Sequence, residues 1–206
     1  MADHPSSQYI PILYKRYAKA WQRLRRESPF VEKAWLDRFI GQLPQVDSPQ
    51  ILDLGCGDGE PMSGYLIEQG AEITGVDITK RFIKSAKKLY KNHTWLIEDM
   101  RHVSLSEQFD GIIAWDSFFH LPQNDQSAMF KQFEKYAKPG APLMFTTGHE
   151  HGEAIGSFNG HDLYHASLSS DEYRSLLIEH GFGLIQYKLQ DETCGGRSIW
   201  LAKKRG

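Results

Sequence analysis

The residues best suited to chemistry lie in one short run, Ile51-Leu52-Asp53-Leu54-Gly55-Cys56-Gly57-Asp58-Gly59-Glu60-Pro61. An apolar stretch of strand formers ends at an aspartate, three glycines follow at alternate positions, and a proline suits the first turn of a helix. A strand, a loop that bares its backbone and a helix start are the usual way an α/β sheet receives a small ligand at a strand's carboxyl end. Asp53, Asp58 and Glu60 make this loop acidic. That disfavours a phosphate and favours a cationic ligand.

Two further strand-like runs end in acids. Ile73-Thr74-Gly75-Val76-Asp77-Ile78 puts Asp77 about 20 residues beyond the glycine loop, where a carboxylate accepts from a ribose diol. Ile97-Glu98-Asp99-Met100 offers a carboxylate for an adenine amine and a methionine to cover the base. A dinucleotide loop needs glycine or alanine at the third position of G-x-G-x-x-G. Here that position is Glu60 counted from Gly55, or Met62 counted from Gly57, so NAD and FAD are disfavoured.

The elements that must position these groups follow from pattern. Residues 8–43 read as two helices, with Ile10, Leu13, Tyr14, Tyr17, Ala18, Trp21 and Leu24 at helical spacing, a break at Ser28-Pro29, and a second stripe at Val31, Trp35, Phe39 and Ile40. Strands are expected near 51–54, 72–77, 94–98, 110–115, 142–147, 183–189 and 197–203, and helices near 61–69, 79–91, 123–138 and 170–180. Ser169 and Glu172 resemble a capping box for the last helix. The alternation predicts a mostly parallel sheet with helices on both faces, and the last two strands lie close enough to form an antiparallel hairpin at one edge. Residues 148–168, with four of the nine histidines, read as a long irregular insertion.

Size and composition bound the rest. A chain of 206 residues, 40% apolar and 24% charged, suits one α/β domain and is short for two. Net charge is −2 and the Lys and Arg residues read as dispersed, so no global electrostatic case exists for nucleic acid or a membrane surface. Cys56 and Cys194 do not form a disulfide framework, residues 1–7 lack an apolar leader core, and no run approaches a membrane span. A cytoplasmic protein is the expectation, with a homodimer left open.

Asp53, Asp77 and Asp99 at three successive strand ends resemble the class I S-adenosylmethionine-dependent methyltransferases, over roughly residues 45–147 by motif. The resemblance implies a Rossmann-like fold with a seven-stranded, mostly parallel sheet and an antiparallel edge hairpin. It implies one domain over 1–206, with an N-terminal helical lid at 8–43 and an α/β core at 45–206. It further implies S-adenosyl-L-methionine as cofactor. The loop of Asp53, Leu54, Gly55, Cys56 and Gly57 would hold the methionine portion, Asp77 and Ile78 the ribose, and Asp99 and Met100 the adenine. Trp115 and Asp116 at the fourth strand's exit, and Trp21 on the lid, would complete the cofactor site.

In the family the segment Trp115-Asp116-Ser117-Phe118-Phe119-His120-Leu121-Pro122 borders the reactive methyl. It lacks the Asn/Asp-Pro-Pro-aromatic motif of base-flipping DNA methyltransferases, and the double-glutamate loop of protein arginine methyltransferases is absent. A small organic acceptor, methylated at oxygen or nitrogen by in-line displacement, is therefore expected. His120 is the first candidate base and His165 the second. His120 capping or packing the next helix is an equal alternative. Phe118, Phe119, Phe158, Tyr164 and Tyr17 are candidates for the acceptor pocket, with core packing as the alternative for Phe118 and Phe119. His149, His151 and His161 with Glu150, Glu153 and Asp162 match no zinc spacing and read as surface groups, so no metal is expected. Three rival readings are a non-catalytic adenosine-ligand binding module, a methyltransferase acting on protein or RNA, to be favoured by a basic groove beside the site, and an NAD-dependent oxidoreductase, which requires tolerance of Glu60 where a small residue should be.

Overall fold

The computed structural model describes residues 5–206. A 3₁₀ turn at Pro5–Tyr9 leads into α1 (Ile10–Glu27), whose helical geometry is interrupted at Tyr17, and α2 (Lys33–Ile40) follows. Then come β1 (Gln50–Leu54), α3 (Met62–Glu68), β2 (Glu72–Asp77), α4 (Lys80–Leu89), β3 (Thr94–Ile97), β4 (Gly111–Ala114), α5 (Gln123–Tyr136) and β5 (Pro142–Thr147). The chain finishes with β6 (Gly152–Phe158), β7 (His161–Ser167), α6 (Ser170–Glu179), β8 (Phe182–Asp191) and β9 (Arg197–Lys204).

Seven strands form one sheet in the order β3-β2-β1-β4-β5-β9-β8. The first five are parallel, and β9 runs antiparallel to both β5 and β8. The chain leaves β1 towards β2 and β3, then returns to place β4 on β1's other side. That reversal opens a crevice at the carboxyl ends of β1 and β4, where such sheets bind ligands. The central strands are buried on both faces, which is why they read as continuous apolar runs. Leu52, Leu54, Ile112 and Phe145 face α5 and α6, while Ile51, Ile73, Ile113 and Met144 face α2, α3 and α4. Ser169 and Glu172 do form a capping box on α6.

The structure corrects two expectations. The segment 148–168 is ordered: β6 and β7 pair as a separate two-stranded sheet. Its turn is Asn159-Gly160, both at positive φ (53° and 78°), the backbone that a two-residue hairpin with right-handed twist requires. The basic residues are also not dispersed. Helices α1 and α4 hold eleven of the chain's 24 Lys and Arg residues and only one of its 26 acids, Glu27. The two helices are neighbours, joined where the Gln22 amide donates to Ser85 Oγ (2.9 Å) and Arg81 Nε donates to Gln22 Oε1 (3.4 Å). Lys15, Arg16, Lys19, Arg23 and Arg26 on one helix, and Lys80, Arg81, Lys84, Lys87 and Lys88 on the other, are all exposed. Sequence distance hid a single basic face.

Candidate functional site

A cavity of about 450 Å³ fills the crevice. Its floor is the carboxyl ends of β1, β2 and β4, and its cover is one face of α1 carrying Tyr14, Trp21 and Arg25. The glycine loop shapes the floor. Gly55 sits at φ +79°, and a Cβ there would lie 2.2 Å from the Ser117 Cβ, so the loop and the β4 exit approach as closely as only glycine allows. Ser117 Oγ donates to the Leu54 carbonyl (2.7 Å) and fixes that approach. Gly57 N–H donates to Asp77 (3.0 Å), so the second strand's acid also braces the first strand's loop.

Of the residues expected to hold a cofactor, Asp53, Gly55, Cys56, Gly57, Asp77, Ile78, Asp99, Met100, Trp115, Asp116 and Trp21 all line this one cavity. Leu54 does not; its side chain is fully buried in the core. Asp58 faces away, accepting from Gln22 (2.7 Å) and pairing with Arg26 (3.0 Å) beneath α1. The lining is strongly acidic, with Asp53, Glu60, Asp77, Glu98, Asp99 and Asp116 against Arg25 and Arg101.

Burial strains the two inner carboxyls electrostatically. Asp53 is pushed up to about 7 by burial, against the opposing Ser63 hydroxyl bond (2.6 Å) and with Asp77's charge adding to the shift. Asp77 is pushed up to about 6, again by burial, although Thr79 and Gly57 N–H groups donate to it. A cationic ligand would relieve both. Asp99 differs: burial acts to raise it, but Arg101 grips it with three guanidinium contacts between 2.6 and 3.1 Å and holds it below the usual carboxylate range.

Asp116 stands at the β4 exit with positive φ (46°), and Arg197 holds its carboxylate with three hydrogen bonds between 2.7 and 3.0 Å. Arg197 also lies 3.5 Å from Glu32, a fully buried acid that pairs with Arg25 on α1. Four alternating charges thus join α1, the turn before α2, the β4 exit and β9. The sequence gives no sign of this network, because its members are up to 172 residues apart.

His120 lines the cavity and is 7% exposed. Its Nδ1 lies 2.8 Å from the Tyr164 carbonyl and its Nε2 lies 2.9 Å from the Tyr14 hydroxyl. Burial, reinforced by His165 and opposed by the Tyr164 bond, pushes it down to about 4. The ring is therefore neutral at pH 7, and its free lone pair is already engaged by Tyr14.

The other acceptor-pocket candidates are not brought to the cavity. Phe118 is fully buried among Phe130, Phe133, Phe145 and Tyr173. Phe119 and His165 pack against His120 and each other edge-on or tilted, with ring centroids 4.9–5.1 Å apart. Tyr164 is buried, and its hydroxyl donates to Glu153 (2.6 Å). Tyr17 pairs with His161 on the hairpin (2.6 Å), and Phe158 packs against Tyr14, Tyr17 and Trp21. These aromatics hold α1 and the hairpin together instead of facing a ligand. The histidines of the insertion go to separate partners, His151 to Glu172 and His161 to Tyr17, and no metal-ligating group of three stands among the described residues.

Tyr14, grouped by its spacing with the apolar stripe of α1, lines the cavity, and so does Phe82 of α4. One signal was present: Tyr14, Trp21 and Arg25 recur at i, i+7 and i+11, a face of polar-tipped side chains unlike a plain apolar stripe.

Residues 51–140 match the family model described as "Methyltransferase domain". "Putative methyltransferase YqeM" of Bacillus subtilis (strain 168) is 31% identical over 140 residues, covering 65% of this chain and 55% of its own length. The chain thus spans just over half of that relative. "O-methyltransferase rstn1" of Aspergillus nomiae is 26% identical over 224 residues, covering 95% of this chain and 98% of itself. Among solved structures, magnesium protoporphyrin IX methyltransferase (ChlM) from Synechocystis PCC 6803 with bound SAM superposes with a TM-score of 0.69 at 19% identity, covering 99% of each chain. The seven-stranded sheet with its antiparallel edge hairpin is the fold of the class I S-adenosylmethionine-dependent methyltransferases.

Proposed function

We propose that the chain, whose residues 51–140 match the model of a methyltransferase domain, is an S-adenosylmethionine-dependent methyltransferase acting on oxygen or nitrogen of a small organic acceptor. The observation that carries this is the cavity itself, where the ends of the first three strands present Asp53, Asp77 and Asp99. Burial raises two of these carboxyls, Asp53 to about 7 and Asp77 to about 6, so a cofactor bearing an ammonium and a sulfonium would favour their ionised forms. When bound, S-adenosylmethionine supplies an electrophilic methyl on sulfur.

The chain's own residues supply alignment and dryness. Asp53 and the Gly55–Gly57 backbone would hold the methionine portion, Asp77 and Ile78 the ribose, and Asp99 with Met100 the adenine. The acceptor would then lie between α1 and the β4 exit, against Tyr14, Trp21, Asp116 and His120. Covering by α1 excludes water, and good alignment alone gains roughly 7–11 kcal/mol in favourable cases. A base is optional for a neutral amine, and the base role first given to His120 would have to operate through Tyr14.

Calorimetric titration with S-adenosylmethionine, S-adenosylhomocysteine and NADH tests the cofactor reading. Micromolar binding of the first two is expected; binding of NADH alone would refute it. One observation favours a second reading, a polyanionic macromolecular acceptor: the basic face of α1 and α4 flanks the covered cavity. Tritium transfer from the labelled cofactor into bulk RNA or protein, exceeding transfer into small acceptors, would select it.

A further inference from the structure

The orientation of a single hydroxyl proton defines what the acceptor corner can bind, given the placement of acceptor and cofactor proposed above. A carbonyl oxygen only accepts hydrogen bonds. His120 Nδ1, 2.8 Å from the Tyr164 carbonyl, must therefore carry the ring's proton. In a neutral ring Nε2 is then a lone pair, and the Tyr14 hydroxyl 2.9 Å away must donate to it. Tyr14 Oη has spent its proton and retains only lone pairs. Those lone pairs belong to a side chain that lines the cavity.

We propose that Tyr14, locked as a pure hydrogen-bond acceptor by the His120–Tyr164 carbonyl relay, selects methyl acceptors that present an N–H or O–H, and rejects carboxylates. The surroundings reinforce this. Asp116, the nearest charged group at the β4 exit, is an anion held by Arg197. The cavity's two cations are occupied, Arg25 by buried Glu32 and Arg101 by Asp99 and Asp125. A carboxylate in this corner would face the lone pairs of Tyr14 and the charge of Asp116, with both guanidiniums of the cavity already paired. An amine or hydroxyl would donate to Tyr14 and keep its own lone pair for the methyl carbon. As the bond to that carbon forms and the methyl–sulfur bond breaks, the proton lost would pass to Tyr14 Oη while the proton of Tyr14 passes to His120 Nε2. His120 is thus a positioning residue: it sets the polarity of Tyr14 without touching the acceptor.

Two measurements test this. Long-range ¹H–¹⁵N correlation spectra of the histidine-labelled full chain are expected to show His120 neutral at pH 7 with the proton on Nδ1. A proton on Nε2, or an imidazolium, would overturn the relay whether or not any acceptor is known. In parallel, the chain with S-adenosylmethionine is offered benzylamine, phenol and benzoate at equal concentration, with transfer of tritiated methyl as readout. Turnover confined to benzylamine or phenol is expected, falling about tenfold in kcat/KM on Tyr14→Phe, the size of one well-placed hydrogen bond. Cofactor affinity should be unchanged in that variant. Benzoate methylated as well as the others would refute the selection. Should no probe turn over, the ring-nitrogen spectrum still decides. Failure of the parent chain to bind S-adenosylmethionine would sink the methyltransferase reading instead, leaving the tautomer result standing.

Discussion

Replacing Asp53 by asparagine should make the unliganded protein more stable and the liganded one weaker, by amounts that depend on pH. Asp53 is 2% exposed and its one hydrogen-bond donor is the Ser63 hydroxyl at 2.6 Å. An amide oxygen accepts that hydroxyl equally well, so the substitution removes the charge and keeps the contact. The carboxyl titrates near 7 in the folded chain and near 3.8 when unfolded. The folded state therefore holds the proton more tightly, and stability is fully present below about pH 4 and lost as pH rises through about 7. At one pKa unit per 1.36 kcal/mol the total loss approaches about 4 kcal/mol by pH 8, of which roughly 2–3 kcal/mol falls between pH 5 and pH 8. Groups remote from Asp53 titrate alike in both proteins, so the difference between them reports Asp53 together with its coupling to Asp77. Urea denaturation of both proteins at pH 5, 6, 7 and 8, without cofactor, should show Asp53→Asn gaining over the parent across that range by about 2–3 kcal/mol. Calorimetry at pH 7.5 should show S-adenosylhomocysteine binding at least tenfold more weakly to the variant, the size of one hydrogen bond to a charged group. Parallel stability profiles would refute the reasoning that this carboxylate is held ionised at the expense of the fold.

Three other outcomes follow from the same geometry. Gly55→Ala forces a left-handed backbone on alanine and a Cβ into Ser117; a loss of at least about 2 kcal/mol in urea unfolding is expected, with no measurable cofactor binding, and a fully stable variant would contradict it. Arg197→Met leaves Asp116 and Glu32 short of a partner, a cost of about 3 kcal/mol that should lower Tm by roughly 6–12 °C in scanning calorimetry; a shift below about 2 °C would show the network to be incidental. Asp99→Ala should weaken S-adenosylhomocysteine about five- to tenfold by calorimetry, and unchanged affinity would mean that Asp99 serves only to hold Arg101.

The strands and helices around the glycine loop were legible because each carries its own local signal. Ile51–Leu54 is apolar on both faces, α4 repeats its apolar residues at helical spacing, and Ser169 with Glu172 writes a cap into the chain. The acids at three strand ends were legible for the same reason. What was missed depends on pairing across distance. The β6–β7 hairpin lacks alternating burial on β6, which is exposed along most of its length, so periodicity was silent; the Asn159-Gly160 dipeptide was the signal available. Phe118 and Phe119 are adjacent, yet one enters the core and the other packs against two histidines, a choice made by the 3₁₀ turn at Phe118–His120. Tyr14 meets His120 across 106 residues, and no local pattern encodes that contact.

The basic face of α1 and α4 has a consequence for how the whole molecule behaves in solution. Those two helices carry a formal +10 and the remainder of the chain −12, so a net charge of −2 conceals a large electric dipole. Such a body rotates in the field of any charged surface before it makes contact, turning the same side forward each time. It should be retained by a sulfonate resin as well as by a quaternary-ammonium resin at neutral pH, and leave both as ionic strength shortens the Debye length below about 10 Å. Its isoelectric point of about 6.5 would forecast only the second.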